Sequence, residues 1–154
     1  MGHGLPCAIG ASINHKILCI DGDGSMHLSI NALQTIKHYN LPIKIVLLNN
    51  QGYLSIKLTQ QSLFNGKYIG SESSSGVTFP DFEKIFKAYN ISYVSIKNNN
   101  ELDTKLKEFF SNDEQGVCEI FTDPQEKHEP RVFPKLNDDG TFIPGQLHDI
   151  RWSE

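Results

Sequence analysis

Residues 16–25 read KILCIDGDGS, a short apolar run that ends in alternating aspartate and glycine. An uninterrupted apolar strand of this length is typical of a sheet that is covered on both faces. Along 26–39 the apolar side chains recur at helical spacing, and Pro42 marks the turn into a second apolar run, IKIVLLN (43–49). Strand, helix and strand within about thirty residues predict a parallel βαβ unit with a right-handed crossover.

The rest of the chain continues this alternation. Further helices are predicted over 5–14, 53–66, 80–90 and 101–110, further strands over 91–97 and 116–122, and an exposed loop over 66–79. Asn100 and Asp103 match an N-cap with a reciprocal acid at the start of the last of these helices. The order of elements predicts an α/β fold: a three-layer, doubly wound and mostly parallel sheet with helices on both faces.

The same pattern divides the chain into a domain and a tail. Residues 1–122 contain the predicted helices and strands and are expected to form one α/β domain. Residues 123–154 contain four prolines and few periodic apolar side chains. They are therefore expected to form a C-terminal tail that packs on the domain or on a partner.

The composition limits the class of protein. The 154 residues are 38% hydrophobic and 21% charged, with a formal net charge of −4, which gives no basic surface for nucleic acid. No apolar run approaches the ~20 residues of a membrane helix, and the N-terminus lacks the pattern of a signal peptide. The three cysteines, Cys7, Cys19 and Cys118, are too scattered for a zinc site or a disulfide framework. A cytoplasmic protein without nucleic-acid or membrane partners is expected.

Two polar segments, IDGDGS (20–25) and LLNNQGY (47–53), stand at the ends of the two strands of the βαβ unit. In open α/β sheets, ligands bind beyond the carboxyl ends of the strands. Taken alone, the first segment is better explained as a tight turn with a capping aspartate, and the second is explained at least as well as a polar strand end. Their joint position favours a shared ligand. Neither the GxGxxG nor the GxxxxGK[ST] phosphate-binding pattern is present.

The residue types in these segments fit a cation together with a phosphate. Gly22 and Gly24 allow a ligand to approach the backbone closely. Asp23 offers a carboxylate oxygen, Asn50 an amide oxygen and Gly52 a main-chain carbonyl, a set that suits Mg²⁺. The helix that follows the first segment presents free N–H groups, which bind phosphate oxygens.

GDGS followed by NN resembles the cofactor signature of thiamine diphosphate-dependent enzymes. Other segments are similar, in the same order, to the acetolactate synthase-like branch of that family. They are MGHGLPCAIGAS (1–12), NNQGYLSIKLTQQSLF (49–64), GVTFPDFEKIFKAYNI (76–91), ELDTKLKEFF (101–110) and PRVFPKLNDDGTFIPGQLHDI (130–150). The chain thus resembles the C-terminal diphosphate-binding (PP) domain of such an enzyme, with the thiamine diphosphate-binding fold.

The resemblance implies roles for single residues. Asp23, Asn50 and the carbonyl of Gly52 are implied to bind the metal. Gly24 and Ser25 are implied to bind diphosphate oxygens. Residues from Tyr53 to Leu58 are implied to lie near the reacting centre, although no catalytic residue is identified. Met1 aligns with the bulky apolar residue against which the family's cofactor bends. The implied cofactor-binding set is Met1, Gly22, Asp23, Gly24, Ser25, Asn50, Gly52 and Tyr53.

The resemblance also implies a function. It predicts a thiamine diphosphate- and Mg²⁺-dependent lyase or transferase that decarboxylates a 2-oxo acid such as pyruvate and carries out carboligation. The family's pyrimidine-binding domain, with its activating glutamate, has no counterpart in these residues, so the chain alone is expected to be inactive. That domain is expected on the same polypeptide or on a separate subunit, within a homo-oligomer. The alternatives are the small subunit of a split 2-oxo acid decarboxylase and a non-catalytic diphosphate-binding or assembly module.

Overall fold

A parallel sheet forms the centre of the molecule in the computed structural model, which describes residues 1–127 and 129–152. The sheet has four strands in the order β1-β2-β4-β3. They are β1 (Ile17–Gly22), β2 (Ile43–Asn49), β3 (Ser92–Ile96) and β4 (Gly116–Phe121). The α-helices of the described residues are α1 (Gly4–Ala11), α2 (Asp23–Leu28), α3 (Leu33–His38), α4 (Leu54–Leu63), α5 (Phe82–Ala88) and α6 (Asn99–Phe109). The predicted parallel α/β fold is confirmed.

The main core lies on one face of the sheet. Cys19, Ile45 and Val117 occupy matched register positions on three neighbouring strands, and each is buried. Side chains from α1, α2, α3 and α5 complete the same apolar cluster; they include Leu5, Met26, Leu33, Ile36, Phe82 and Phe86. The strands therefore present one continuous apolar layer to four helices, and Cys19 packs in that core as its apolar surroundings predict.

Helix α6 lies on the opposite face. The Lys44 ammonium donates to the main-chain carbonyl of Phe109 at 2.6 Å, and Lys44 points away from the main core. On the same face, Leu18 and Ile20 of β1 are 49% and 63% exposed. The expectation that both faces of β1 are covered is therefore wrong for the described residues, because the cover of this face does not extend to the edge strand.

The helix predicted over 26–39 is divided. α2 begins at Asp23, inside the predicted turn, and Ser29 leaves the helical region with φ −127°. A 3₁₀ turn, Ile30–Ala32, then joins α2 to α3. A serine side chain forms hydrogen bonds with nearby main-chain groups and so competes with the bonds of the helix. The helix therefore breaks at Ser29, although the apolar periodicity continues.

The N-cap of α6 lies earlier than predicted. Asn98, not Asn100, is the cap, and its side chain accepts a hydrogen bond from the Asn100 N–H at 3.1 Å. The acid beside this cap is Glu101 and not Asp103; it accepts from the Lys97 N–H at 3.2 Å and from the Asn98 side-chain amide at 3.1 Å. Three consecutive asparagines allow two capping registers, and the prediction chose the wrong one.

The tail contains structure that the sequence analysis did not predict. β5 (Lys135–Leu136) and β6 (Phe142–Ile143) form an antiparallel hairpin. The predicted tail also includes His128, Ser153 and Glu154, which lie outside the described residues, and its packing on the domain or a partner stays a prediction. Within residues 1–127 and 129–152, no helix combines the length and the apolar character needed to span a bilayer.

Candidate cofactor site at the strand ends

The two polar strand ends lie side by side. β1 and β2 are parallel neighbours, and Gly22 pairs with Leu48 at the last register position. Beyond this pair, the main-chain N–H of Gly52 donates to Oδ2 of Asp23 at 3.3 Å. The segments that follow the two strands therefore meet at one edge of the sheet, as parallel pairing requires.

Asp23 is the acidic centre of this edge. Its side chain is only 2% exposed, and Oδ1 accepts from the N–H of Gly24 at 2.6 Å. Burial raises the pKa of the Asp23 carboxyl above its ordinary value, because desolvation outweighs the hydrogen bonds from the N–H groups of Gly24 and residues 50–52. A neighbouring cation favours the charged form, so this carboxyl is suited to bind one.

Asn50 contributes an acceptor that lacks a donor. Its Oδ1 atom is buried and accepts no hydrogen bond from any residue that the structure describes. Buried polar atoms without a partner are rare, and each calls for an explanation such as a ligand or an ion. Mg²⁺ prefers oxygen ligands, including amide oxygens. The unpaired amide oxygen beside a buried carboxyl therefore fits the predicted cation site.

The predicted cofactor-binding residues line one small cavity. Its walls are Met1, Gly22, Asp23, Gly24, Ser25, Asn50, Gly52 and Tyr53, together with Leu54, Ser55 and Ile56. The cavity volume is about 150 Å³. Typical ligand pockets have ~300–1,000 Å³, so these residues enclose only part of a cofactor. The three further residues belong to the first turn of α4, within the stretch that the resemblance placed near the reacting centre.

Close packing fixes the shape of the two turns that follow β1 and β2. They are called the first turn (residues 22–25) and the second turn (residues 50–52). The ring of Tyr53 lies against the main chain of Gly24, in the space that a Cβ atom would occupy. The carbonyl oxygen of Ser71 lies 2.8 Å from the position of a Cβ atom on Gly52. Gln51 adopts φ +61°, in the left-handed region that residues with a side chain rarely enter. Glycine at positions 24 and 52 is therefore required by the neighbouring groups.

The hydrogen-bond donors implied for a diphosphate are partly engaged within the chain. The N–H of Gly24 donates to its neighbour Asp23, so a diphosphate would have to replace that bond. Oγ of Ser25 accepts from the N–H of Gly2 at 2.9 Å, which leaves the hydroxyl hydrogen to donate elsewhere. Met1 lies beside them at the cavity wall and is 70% exposed. The Ser25 hydroxyl thus keeps its donor capacity at the cavity wall.

The predicted exposed loop is held against the site at its centre. Ser71 is fully buried, and its carbonyl accepts from the N–H of Tyr53 at 2.8 Å. Glu72 forms an antiparallel bridge with Gly52 and an ion pair with Lys57 at 2.8 Å. The prediction of exposure is therefore wrong here, because main-chain pairing ties this part of the loop to the second turn. Serine content gave no signal of that pairing.

The donor set fits a cation that shares a diphosphate. In the part of the chain that the structure describes, no three His, Cys, Asp or Glu side chains cluster as a metal centre. A metal at the strand ends would therefore rely on one carboxylate and on neutral oxygens. Mg²⁺ commonly completes such a set with substrate phosphates.

Comparison with known families identifies the chain. Residues 1–120 match the model of the family described as thiamine pyrophosphate enzyme, C-terminal TPP binding domain. The chain belongs to this family. Thiamine diphosphate is the family's cofactor, and Mg²⁺ is its usual partner metal. The resemblance found in the sequence is thereby confirmed.

Relatives of this TPP-binding domain include acetolactate synthase large subunits. The domain is 32% identical over 154 residues to the protein of Cyanidium caldarium, covering 97% of this chain and 26% of that protein. It is 36% identical over 127 residues to the probable large subunit of Methanococcus aeolicus, covering 80% and 21%. The chain thus spans 26% and 21% of the lengths of these two relatives.

A solved structure shares the fold. The chain is similar to the thiamine diphosphate-dependent 4-hydroxybenzoylformate decarboxylase of Rhodococcus jostii RHA1, with a TM-score of 0.69 and 26% sequence identity. The similarity covers 80% of this chain and 23% of the decarboxylase chain. In these comparisons the chain corresponds to about a quarter or less of the length of each similar protein.

Proposed function

We propose that this chain is the diphosphate-binding part of a thiamine diphosphate- and Mg²⁺-dependent, acetolactate synthase-like enzyme. Its substrate is a 2-oxo acid such as pyruvate, which undergoes decarboxylation with carboligation. The observation that carries the proposal is the unpaired, buried Oδ1 of Asn50 beside the buried carboxyl of Asp23, in a chain of this family. The similarity to acetolactate synthase large subunits supports the reaction class.

The residues of the site divide the binding task. Asp23, Asn50 and the Gly52 carbonyl hold the metal, and the close contact between the two turns keeps these oxygens together. Gly22 keeps the first turn open to a diphosphate, toward which Ser25 and the Gly24 N–H donate. Met1 and Tyr53 form apolar walls. The bound cofactor supplies the electron sink for cleaving the bond between the carbonyl and carboxylate carbons, while these side chains position it.

The proposal includes a partner for the other end of the cofactor. The cavity of about 150 Å³ is too small to enclose a whole cofactor, so a second surface must complete it. We assign that surface to a pyrimidine-binding domain, on the same polypeptide or on another subunit, within a homo-oligomer. The assembled protein, meaning this chain together with that domain, is the active species, and the chain alone is inactive.

Calorimetry on the assembled protein tests the metal site. Loss of an outer-shell partner alone costs about 10–100-fold in metal affinity, so removal of a ligand should cost at least about 100-fold. We therefore expect Asp23→Ala to weaken Mg²⁺-dependent binding of thiamine diphosphate at least about 100-fold. Asp103→Ala, which removes an exposed acid on α6, is the control and should bind as the wild type does. Equal binding by Asp23→Ala and the wild type would contradict the metal assignment.

A second candidate is the small subunit of a split 2-oxo acid decarboxylase. The similarity to a thiamine diphosphate-dependent decarboxylase favours it. Product analysis separates the two candidates: the assembled protein is incubated with pyruvate, and CO₂ and acetolactate are measured together. Carboligation predicts acetolactate, whereas a simple decarboxylase releases CO₂ without it.

A further inference from the structure

A chain of hydrogen bonds runs through the sheet toward the second turn of the site. Glu119 on β4 is 2% exposed, and its Oε1 accepts from Nδ2 of Asn49 at 2.6 Å. Its Oε2 accepts from the hydroxyl of Tyr93 on β3. Oδ1 of Asn49 then accepts from the main-chain N–H of Gln51 at 3.0 Å. Three strands are thereby linked to the turn that carries Asn50 and Gly52.

The acid at the centre of this chain has a donor to each of its two oxygens. Burial of an acidic side chain is disfavoured by desolvation, and an apolar residue of similar volume is often as stable in its place. Burial and the hydrogen bond to Glu119 also raise the pKa of Tyr93, which keeps the phenol protonated as a donor. A buried polar network with every member paired fixes one geometry. Stability alone therefore does not explain an acid at this position.

The network of Glu119, Tyr93 and Asn49 contacts the turn of residues 50–52, which carries the proposed metal-binding oxygens. Gln51 has φ +61°, a conformation that persists only when its surroundings enforce it. The bond from its N–H to Asn49 joins the turn to the sheet. On the far side of the same turn, the Gly52 N–H reaches Asp23, and Gly52 also forms a bridge with Glu72. The sheet, the acid of the site and the loop around Glu72 thus all hold the turn, and the bond to Asn49 is the contact that links it to Glu119.

We propose that Glu119 is a positioning residue: together with Tyr93 and Asn49, it holds residues 50–52 in the conformation that presents the Asn50 and Gly52 oxygens to the metal. This inference rests on the proposed function, since it concerns the same metal site. Glu119 does not line the cofactor cavity, so it acts through Asn49 and not by touching the ligand. The network instead borders a separate cavity of about 440 Å³, which gives substituted side chains room.

The test uses Mn²⁺ and thiamine diphosphate with the assembled protein, and reads Mn²⁺ affinity by electron paramagnetic resonance. Glu119→Leu removes both acceptors, and we expect about tenfold weaker Mn²⁺ binding. Glu119→Gln keeps an acceptor for Asn49 and should restore the affinity. Tyr93→Phe removes the bond that lies farther from the turn, so it should weaken Mn²⁺ binding less than Glu119→Leu does. If Glu119→Leu does not fold, Tyr93→Phe tests the positioning role in its place. Cys118→Ala, a buried neighbour on the opposite face, lowers Tm without weakening Mn²⁺ binding.

Amide exchange gives a readout that is independent of the metal. In the cofactor-free protein, Glu119→Leu should speed exchange at Gln51 and Gly52, whereas Cys118→Ala should leave these two amides as they are in the wild type. Wild-type Mn²⁺ affinity in both Glu119→Leu and Tyr93→Phe overturns the positioning role. So does an equal loss of affinity in Cys118→Ala. Failure of the proposed function has a different signature, namely Mn²⁺ binding by Asp23→Ala at wild-type strength.

Discussion

Two adjacent asparagines at the end of β2 have opposite surroundings. Asn49 is bonded at both ends of its amide, to Glu119 and to the Gln51 N–H. The buried Oδ1 of Asn50 has no donor among the described residues. Asn49 is the last residue of β2 and faces the network of Glu119, whereas Asn50 follows the strand and lines the cofactor cavity. We therefore propose that the same residue type stabilises the structure at position 49 and binds the metal at position 50.

This difference predicts opposite effects of alanine at the two positions. Asn49→Ala leaves Glu119 short of a donor and the Gln51 N–H short of an acceptor, so it should lower the free energy of unfolding by about 1–3 kcal/mol. Asn50→Ala removes an acceptor that is already unpaired, so the unfolding free energy should hold while Mg²⁺-dependent cofactor binding is lost. Chemical denaturation and calorimetry measure the two quantities. Destabilisation by Asn50→Ala as large as that by Asn49→Ala would contradict this division.

At the scale of elements, α6 begins with a charge-dependent cap. Glu101 accepts from Lys105, the Lys97 N–H and Asn98. The hydrogen bond from the Lys105 ammonium, followed by that from the Lys97 N–H, lowers the pKa of Glu101 below its ordinary value of 4.5. A carboxyl whose folded-state pKa is depressed contributes stability above its unfolded pKa, and that contribution is lost as the pH falls through the folded pKa.

Glu101→Gln should therefore be less stable than the wild type at neutral pH, and the difference should disappear as the pH falls below 4.5. Urea denaturation at a series of pH values measures it. Asp103→Asn is the matched control on the same helix, because the cap does not include Asp103. A stability difference between Glu101→Gln and the wild type that is the same at all pH values would show that the charge is not involved.

The elements differ in how far the sequence predicts them. β2 has the predicted bounds, 43–49, because its run is largely apolar and lies between Pro42 and a polar pair. The split of 26–39 into two helices was not predictable from periodicity, since the apolar spacing continues through Ser29. The hairpin of β5 and β6 had a signal that was overlooked: Asp139 and Gly140 form a turn between two short runs that contain apolar residues.

The site follows the same logic. Its two turns were predictable, since parallel strands bring their carboxyl ends to one edge, and the polar residues directly follow the strands. The network of Glu119, Asn49 and Tyr93 was not predictable from the sequence. Glu119 is visible in the sequence as a lone acid within GVCEIFT, but its partners lie 70 and 26 residues away. Only the strand order places β4 between β2 and β3 and thereby joins them.

At the scale of the whole molecule, the large apolar side chains exposed among the described residues include two groups. One is the outer face of β1, with Leu18 and Ile20, and the other is the tail, where Leu147 is 84% and Trp152 68% exposed. Exposed apolar surface of this kind marks contact sites. We propose that the tail packs on a neighbouring domain or subunit of the assembled protein. The small cofactor cavity fits the same proposal, because a second surface would complete its walls.

The most direct measurement is the position of the metal in a crystal structure of the assembled protein with thiamine diphosphate and Mn²⁺. Anomalous scattering at the manganese edge locates the ion without reference to any assumed ligand. We expect one peak bonded to a carboxylate oxygen of Asp23, to Oδ1 of Asn50 and to the carbonyl oxygen of Gly52. A peak bonded to other residues, or a bound cofactor whose diphosphate lies away from these strand ends, would contradict the assignment of this site.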